Sequence, residues 1–216
     1  MEETLSEQEI RVLGSLIEKE RTTPEYYPLT LNALVNACNQ KSNRSPVVLY
    51  DHAAVAKTVD GLRWKGWVVV VDEAGSRTEK YRHAFLEKSG LAEGEMAVLA
   101  ELMLRGPQTA GEVRGRANRM HRIESLDEAA GILRSLAERN PAWSVRFPRR
   151  PGRKEHRYAH LLGGPVEMKE EVPVRARSSA PPAADRVGEL EEALTALRER
   201  VEDLERKLGE FRAQFE

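Results

Sequence analysis

Glu9-Ile10-Arg11-Val12-Leu13-Gly14-Ser15-Leu16-Ile17 returns 86 residues later as Glu95-Met96-Ala97-Val98-Leu99-Ala100-Glu101-Leu102-Met103. Every apolar position of the first stretch is apolar in the second, and Leu5 maps onto Leu91 at the same offset. A match at fixed offset marks one structural unit used twice. Further along, the correspondence continues at smaller offsets, as it does when loops are shortened. Pro28-x-Thr30 pairs with Pro107-x-Thr109, Val59 and Leu62 with Leu133 and Leu136, and Tyr81-x-His83 with Tyr158-x-His160.

Each copy reads as three helices followed by a two-stranded ribbon. Ser6 and Glu9 have the spacing of a capping box, and Ile10, Leu13, Leu16 and Ile17 share one face of the helix behind it. Thr30 and Asp51 are suited to cap two further helices. One carries Leu31, Leu34, Val35 and Cys38; the other carries Val55, Val59 and Leu62 and ends near Gly66. Trp67–Val71 and Tyr81–Leu86 read as strands around a turn-rich loop, Asp72 to Arg77. The second copy repeats the order, with helices over 92–105, 109–117 and 126–139 and strands near 142–147 and 155–161. Three helices and a hairpin in about 80 residues make the winged-helix form of the helix-turn-helix. The expected fold class is mainly α (α+β): two tandem winged-helix domains, 1–90 and 91–164, followed by a C-terminal coiled-coil helix.

The tail is of a different character. Residues 165–185 include Pro165, Pro173, Pro181 and Pro182 among small and charged residues, the composition of a flexible linker. In 186–216, Val187, Leu190, Leu194, Leu197, Val201, Leu204, Leu208, Phe211 and Phe215 alternate spacings of three and four. That is an a/d heptad pattern, and it predicts a self-associating helix and hence a dimer. Its charges fit a parallel pair, with Arg200 against Glu205, and also an antiparallel one, with Glu191 against Arg212.

The net charge of −1 conceals an asymmetry. Residues 91–164 carry 13 basic and 9 acidic side chains, whereas the tail from 165 carries 9 and 13. Arg146, Arg149, Arg150, Arg153, Lys154 and Arg157 surround the turn Pro148–Gly152 at the expected wing tip. Arg114, Arg116, Arg119 and Arg122 form a second basic stretch between helices two and three of the same copy. Guanidinium forks suit phosphate oxygens, so both stretches are candidates for contacting the backbone of double-stranded DNA. In the first copy Lys41, Arg44 and Lys57 are the corresponding candidates. The segment Asn39–Arg44 is open to two readings, a phosphate-contacting loop or a web of side-chain-to-backbone bonds. Against base reading stand Glu124, Asp127 and Glu128 at the start of the expected recognition helix. Acidic first turns stabilise helices but repel phosphate.

Catalytic constellations are missing from the pattern. There is no phosphate-cradling glycine loop, no metalloprotease helix and no paired cysteines, so no cofactor, no metal and no enzymatic activity are expected. The one cysteine, Cys38, falls on the apolar side of a helix and reads as a buried thiol. His156 and His160 lie on a strand and read as surface or packing positions. The longest apolar run is too short to cross a bilayer and no leader pattern opens the chain, so a cytoplasmic protein is expected.

Leu16-Ile-Glu-Lys-Glu20, Thr23-Pro24, Tyr27-Pro-Leu-Thr-Leu-Asn32 and Ala37-Cys-Asn-Gln-Lys-Ser-Asn-Arg44 with Pro46 together resemble the YceH-like family of uncharacterised bacterial proteins. The resemblance covers about 5–163 and is more specific in the first copy. It implies two winged-helix domains in a bacterial cytoplasmic protein and no established activity. Two functional readings follow: a DNA-binding protein acting as a dimer, such as a transcriptional regulator, or an assembly factor whose winged helices hold a protein partner.

Overall fold

The computed structural model describes residues 4–71, 78–149, 152 and 155–166. The chain divides into two compact units, Met1–Met168 and Lys169–Glu216, and the described residues belong to the first. The linker and the heptad residues Val187, Leu190, Leu194, Leu197, Val201, Leu204, Leu208 and Phe211, like the last position Phe215, lie outside the described residues.

Among its described residues the first unit is a mixed α+β structure of seven α-helices and two small antiparallel sheets. It opens with α1 (Glu7–Thr22), a single 3-10 turn at Pro24–Tyr26, β1 (Leu29–Thr30), α2 (Leu31–Cys38), α3 (His52–Trp64), β2 (Val68–Val71) and β3 (Lys80–His83). After a connecting α4 (Phe85–Ser89), the order returns as α5 (Glu93–Arg105), β4 (Gln108–Thr109), α6 (Ala110–Ala117), α7 (Leu126–Glu138), β5 (Ser144–Arg146) and β6 (Arg157–His160). Each half has its own three-stranded sheet, ordered β1-β3-β2 and β4-β6-β5. The equivalence of Tyr81 and Tyr158 is literal: each pairs with the strand that precedes the second helix of its half, opposite Leu29 and Gln108.

Local chemistry fixes the helix starts. The Ser6 hydroxyl accepts from the Glu9 amide, while the Glu9 carboxylate accepts from the Ser6 amide, so two free donors of the first turn are satisfied reciprocally. The side chains of Thr30, Asp51, Thr109 and Ser125 likewise accept from an amide of the first turn of α2, α3, α6 and α7, and at Thr109 the Glu112 carboxylate completes the reciprocal pair. The returning strand of the first half is shorter than the expected Tyr81–Leu86. It ends at His83, whose Nδ1 accepts from the Phe85 amide, and the chain turns into α4. That helix stops at Gly90, where φ is +63° and a side chain would be strained.

Burial follows the repeat. Ile10, Val12, Leu13, Leu16 and Ile17 are buried, and so are Met96, Val98, Leu99, Leu102 and Met103. An ordinary amphipathic helix buries one stripe. Here α1 is buried continuously from Glu9 to Glu18 and α5 from Gly94 to Leu104, because each packs on its own half and on the other. At their crossing, a Cβ on Gly14 would meet Leu104 and Met103 at 3.2–3.3 Å. A second bridge is aromatic: Phe85 lies 5.3 Å from Trp67 and 5.8 Å from Trp143, and the two tryptophans meet edge-on at 6.3 Å. The two halves therefore share one continuous core.

Gly14→Ala is expected to lower stability by about 1–3 kcal/mol, since the extra methyl overpacks the α1–α5 crossing. Gly115→Ala, within α6 and with open space where its Cβ would go, should raise stability by roughly 0.5–1 kcal/mol. Urea unfolding of both variants checks the contrast.

Candidate nucleic-acid interface

The basic residues singled out from the sequence divide into those spent inside the protein and those presented to solvent. Arg44 is spent. Its side chain is fully buried; Nη1 donates to Glu18 Oε1 at 3.0 Å, Nη2 donates to Glu18 Oε2, and Nε and Nη2 donate to the Ala37 carbonyl at 3.1 and 2.8 Å. It cannot reach a phosphate, which corrects its place among the candidate DNA contacts. Of the two readings of its loop, the side-chain-to-backbone web is the one the fold forms. Asn39 donates to the Tyr50 carbonyl and accepts from the Tyr50 amide, both at 2.8 Å, and Arg11 donates to the Pro46 carbonyl at 2.6 Å. Of the loop's two basic candidates only Lys41 is exposed.

Arg119 is also withdrawn. One arm of its guanidinium donates to Glu18 Oε1 in the first half, and the other donates to Glu101 Oε2 on α5 at 3.0 Å. Arg105 lies 3.0 Å from Glu101 Oε1 and donates to the Asn43 side chain. Glu18 and Glu101 are thus the two buried acids of a clasp with three arginines, Arg44, Arg105 and Arg119, that ties α1, the loop after α2, α5 and the turn after α6. Burial raises the Glu18 pKa, but the hydrogen bonds and charge of Arg44, followed by those of Arg119, outweigh it and hold the carboxyl below its ordinary value. At Glu101 burial prevails over Arg119 and Arg105, and the pKa is raised. The sequence did carry a signal for Glu101, which interrupts the apolar run Met96–Leu104; Glu18, which continues the polar positions Arg11 and Ser15 of α1, gave none.

Two further candidates are engaged but half-exposed. Arg116 donates to Gln108 Oε1 at 2.8 Å and lies 3.6 Å from Glu112. Arg157 donates to the Pro107 carbonyl at 2.7 Å and lies 3.3 Å from the same carboxylate. Lys57 stands exposed on α3, and Arg122 is 85% exposed before α7 with Glu124 at 3.4 Å.

What faces solvent together is the β5–β6 hairpin. Its arms carry Arg146 and Arg149, both exposed; Arg150, Arg153 and Lys154 lie outside the described residues. Arg146 makes no ion pair among the described residues. Arg149 Nε donates to His156 Nε2 at 3.2 Å, and His156 Nδ1–H donates to the Phe147 carbonyl at 2.8 Å. An imidazole with its proton on Nδ1 therefore braces Arg149 against the hairpin, and the terminal nitrogens of Arg149 have no partner among the described residues. Residues 144–160 contain six basic side chains and a single acid, Glu155. Beside them, α7 turns Asp127, Glu128 and Glu138 outward with Arg134. Glu128 Oε2 accepts from the Glu124 amide at 2.8 Å, so the acidic start of α7 closes its own first turn.

The remaining titratable groups are structural. Burial pushes the Cys38 thiol up to about 11, which leaves it protonated and inert. His83 bonds Glu20 through Nε2 at 3.0 Å, and its amide donates to the Tyr27 hydroxyl at 2.7 Å. In the second half Gly106 stands where Tyr27 does in the first, and the buried Nδ1 of His160 has no partner among the described residues. Burial alone lowers His160 to about 4. Among the described residues no three His, Cys, Asp or Glu side chains converge as metal ligands, and no helix is long and apolar enough to cross a membrane.

Residues 5–153 match the family described as Protein of unknown function, DUF480. The chain is 51% identical over 222 residues to a UPF0502 protein of Pelobacter propionicus, with both chains covered in full. It is 51% identical over 219 residues to a UPF0502 protein of Geotalea daltonii, again over both full lengths. A UPF0502 protein of Opitutus terrae is 51% identical over 195 residues, which cover 90% of this chain and 83% of that one.

Glu18→Gln leaves Arg44 buried without its counter-charge and is expected to cost about 3–5 kcal/mol at pH 7. A carboxylate held below its unfolded pKa contributes stability that is present above that pKa and lost as pH falls through the folded value. The deficit of the variant should therefore shrink in acid; a deficit constant from pH 7 to pH 3 would contradict the clasp. His160 acts in a higher window. Unfolded chains bind its proton below about 6.5 and the folded one only below about 4. Between these values the group should cost up to about 1.4 kcal/mol per pH unit of acidification, a slope that His160→Gln should remove from the urea-unfolding profile.

Proposed function

The chain belongs to the family described as Protein of unknown function, DUF480, and we propose that it is a non-enzymatic cytoplasmic protein of two tandem winged-helix domains that binds double-stranded DNA. The observation that carries this reading is the pair Arg146 and Arg149, exposed on the hairpin arms with no carboxylate partner among the described residues. Exposed guanidinium groups in a segment of six bases and one acid supply the counterion-releasing contacts that bind duplex phosphates. Half-exposed Arg157 on the same hairpin and exposed Arg122 before α7 are further candidate contacts of the second half, and Lys41 and Lys57 offer weaker ones from the first. The outward acids of α7 argue against base reading by this helix, so the binding is backbone-directed and tolerant of sequence. A transcriptional role would then draw its specificity from DNA shape or from the first half. By the heptad spacing of the tail, two copies join into a dimer that presents two hairpins.

A protein partner in place of DNA is favoured by one feature. The segment pinned by Arg11 and Asn39 presents Val47 and Leu49 to water, 55% and 92% exposed. Apolar side chains held out on a fixed backbone suit a protein contact better than a phosphate.

The test is anisotropy of a labelled random duplex titrated at several salt concentrations. Binding should weaken steeply with salt. Arg146→Glu with Arg149→Glu should flatten the slope of log affinity against log salt by about 2 per engaged hairpin, at roughly 0.9 per phosphate contact. Thermal melting should hardly change. An unaltered slope and affinity in the double variant would overturn the DNA reading in favour of the protein partner.

A further inference from the structure

The two sheets end differently. β5 is three residues long and closes with exposed Arg146 before Pro148 and Arg149, which protects its free edge with charge and proline. β2 carries neither charge nor proline within its own four residues, Val68–Val71. Val68–Val71 pairs with β3 through four consecutive positions without a bulge, and among the described residues no strand pairs with its other edge. Every second residue of such a strand points its N–H and C=O away from its one partner. Beside this edge Trp64, the last residue of α3, is 93% exposed, and Val69 is 37% exposed. A groove of about 570 Å³ runs between them, lined by Asp60, Arg63, Trp64, Val68, Val69 and Val70.

We propose that this edge pairs with the same edge of a second copy of the chain. Three features suit a two-fold partner better than a foreign strand. Four identical valines present the same surface read in either direction, so an antiparallel pairing sets valine against valine. Asp60 and Arg63 border the groove as an exposed pair 3.2 Å apart, one of each sign. A two-fold axis between antiparallel edges carries Arg63 of one copy toward Asp60 of the other, so the groove is complementary in charge to itself. Such an isologous contact also closes after two copies, which caps an edge that would otherwise template open-ended pairing. Trp64 then loses its exposure against the partner's groove. The contact is small, and its association is correspondingly weak and concentration-dependent. It is independent of the DNA reading and of the heptad tail.

The test uses the full chain with Val69→Cys and Val70→Cys as single variants, leaving Cys38 in place, where it is buried. Across an antiparallel two-fold, the residue nearest the axis faces its own copy at a Cα separation of about 4.5–5.5 Å, within disulfide reach. Mild oxidation should give a covalent dimer with at least one of the two, and not with Asn36→Cys, an exposed position on α2. Adding Trp64→Ala, or Arg63→Asp, should reduce the yield several-fold while circular dichroism and melting stay unchanged. Failure of both edge cysteines to cross-link at high protein concentration overturns the proposal. So does equal cross-linking at Asn36→Cys, which would mean that tethering through the tail brings exposed cysteines together indiscriminately, without pairing of the edges.

Discussion

The crossing of α1 and α5 is the contact on which the rest of this structure depends. A small winged domain buries one face of its first helix and leaves the other to water; here both first helices are enclosed by the two halves. The glycine at the crossing allows the backbones to approach, and the duplicated apolar residues fill the space on either side. Hydrophobic burial of this extent is the main favourable contribution to folding. It also imposes a condition: any charge carried on those faces must be matched inside.

Glu18 and Glu101 are such charges, and the way they are matched determines which arginines remain available. Arg44 and Arg119 are drawn in as counter-ions, one wholly and one in large part. Removing either acid would strand a cation, so the clasp makes the joining of the halves specific rather than merely favourable. The positive charge left at the periphery is concentrated on the second hairpin, far from these carboxylates in sequence. Divergence between copies follows the same division. The first half keeps an open valine edge and a histidine held by Glu20, while the second has an arginine-lined edge and a histidine whose buried Nδ1 is unpartnered.

Much of this was legible from the residues. The Glu9–Ile17 and Glu95–Met103 repeat located the core, and Ser6, Thr30, Asp51 and Thr109 located helix starts within a residue. Two-residue strands such as β1 and β4 leave no periodicity to read, because they exist only through pairing with β3 and β6. The same limit hid the fate of Arg44 and Arg119. Their partner Glu18 lies 26 and 101 residues away, and only the fold brings a basic residue of a polar loop beneath the surface. Trp64 escaped notice for the opposite reason. A tryptophan at the end of an amphipathic helix reads as core, whereas its neighbour Trp67 took that place and left it outside.

Burial decides which cations can meet a polyanion, and hydrogen–deuterium exchange of the full chain with and without duplex DNA tests this directly. Slow exchange is expected in α1 and α5 in both states, with new protection over residues 144–160 when duplex is present and the Asn39–Arg44 loop unchanged. Protection centred on that loop or on the start of α7, with the hairpin unaffected, would contradict it.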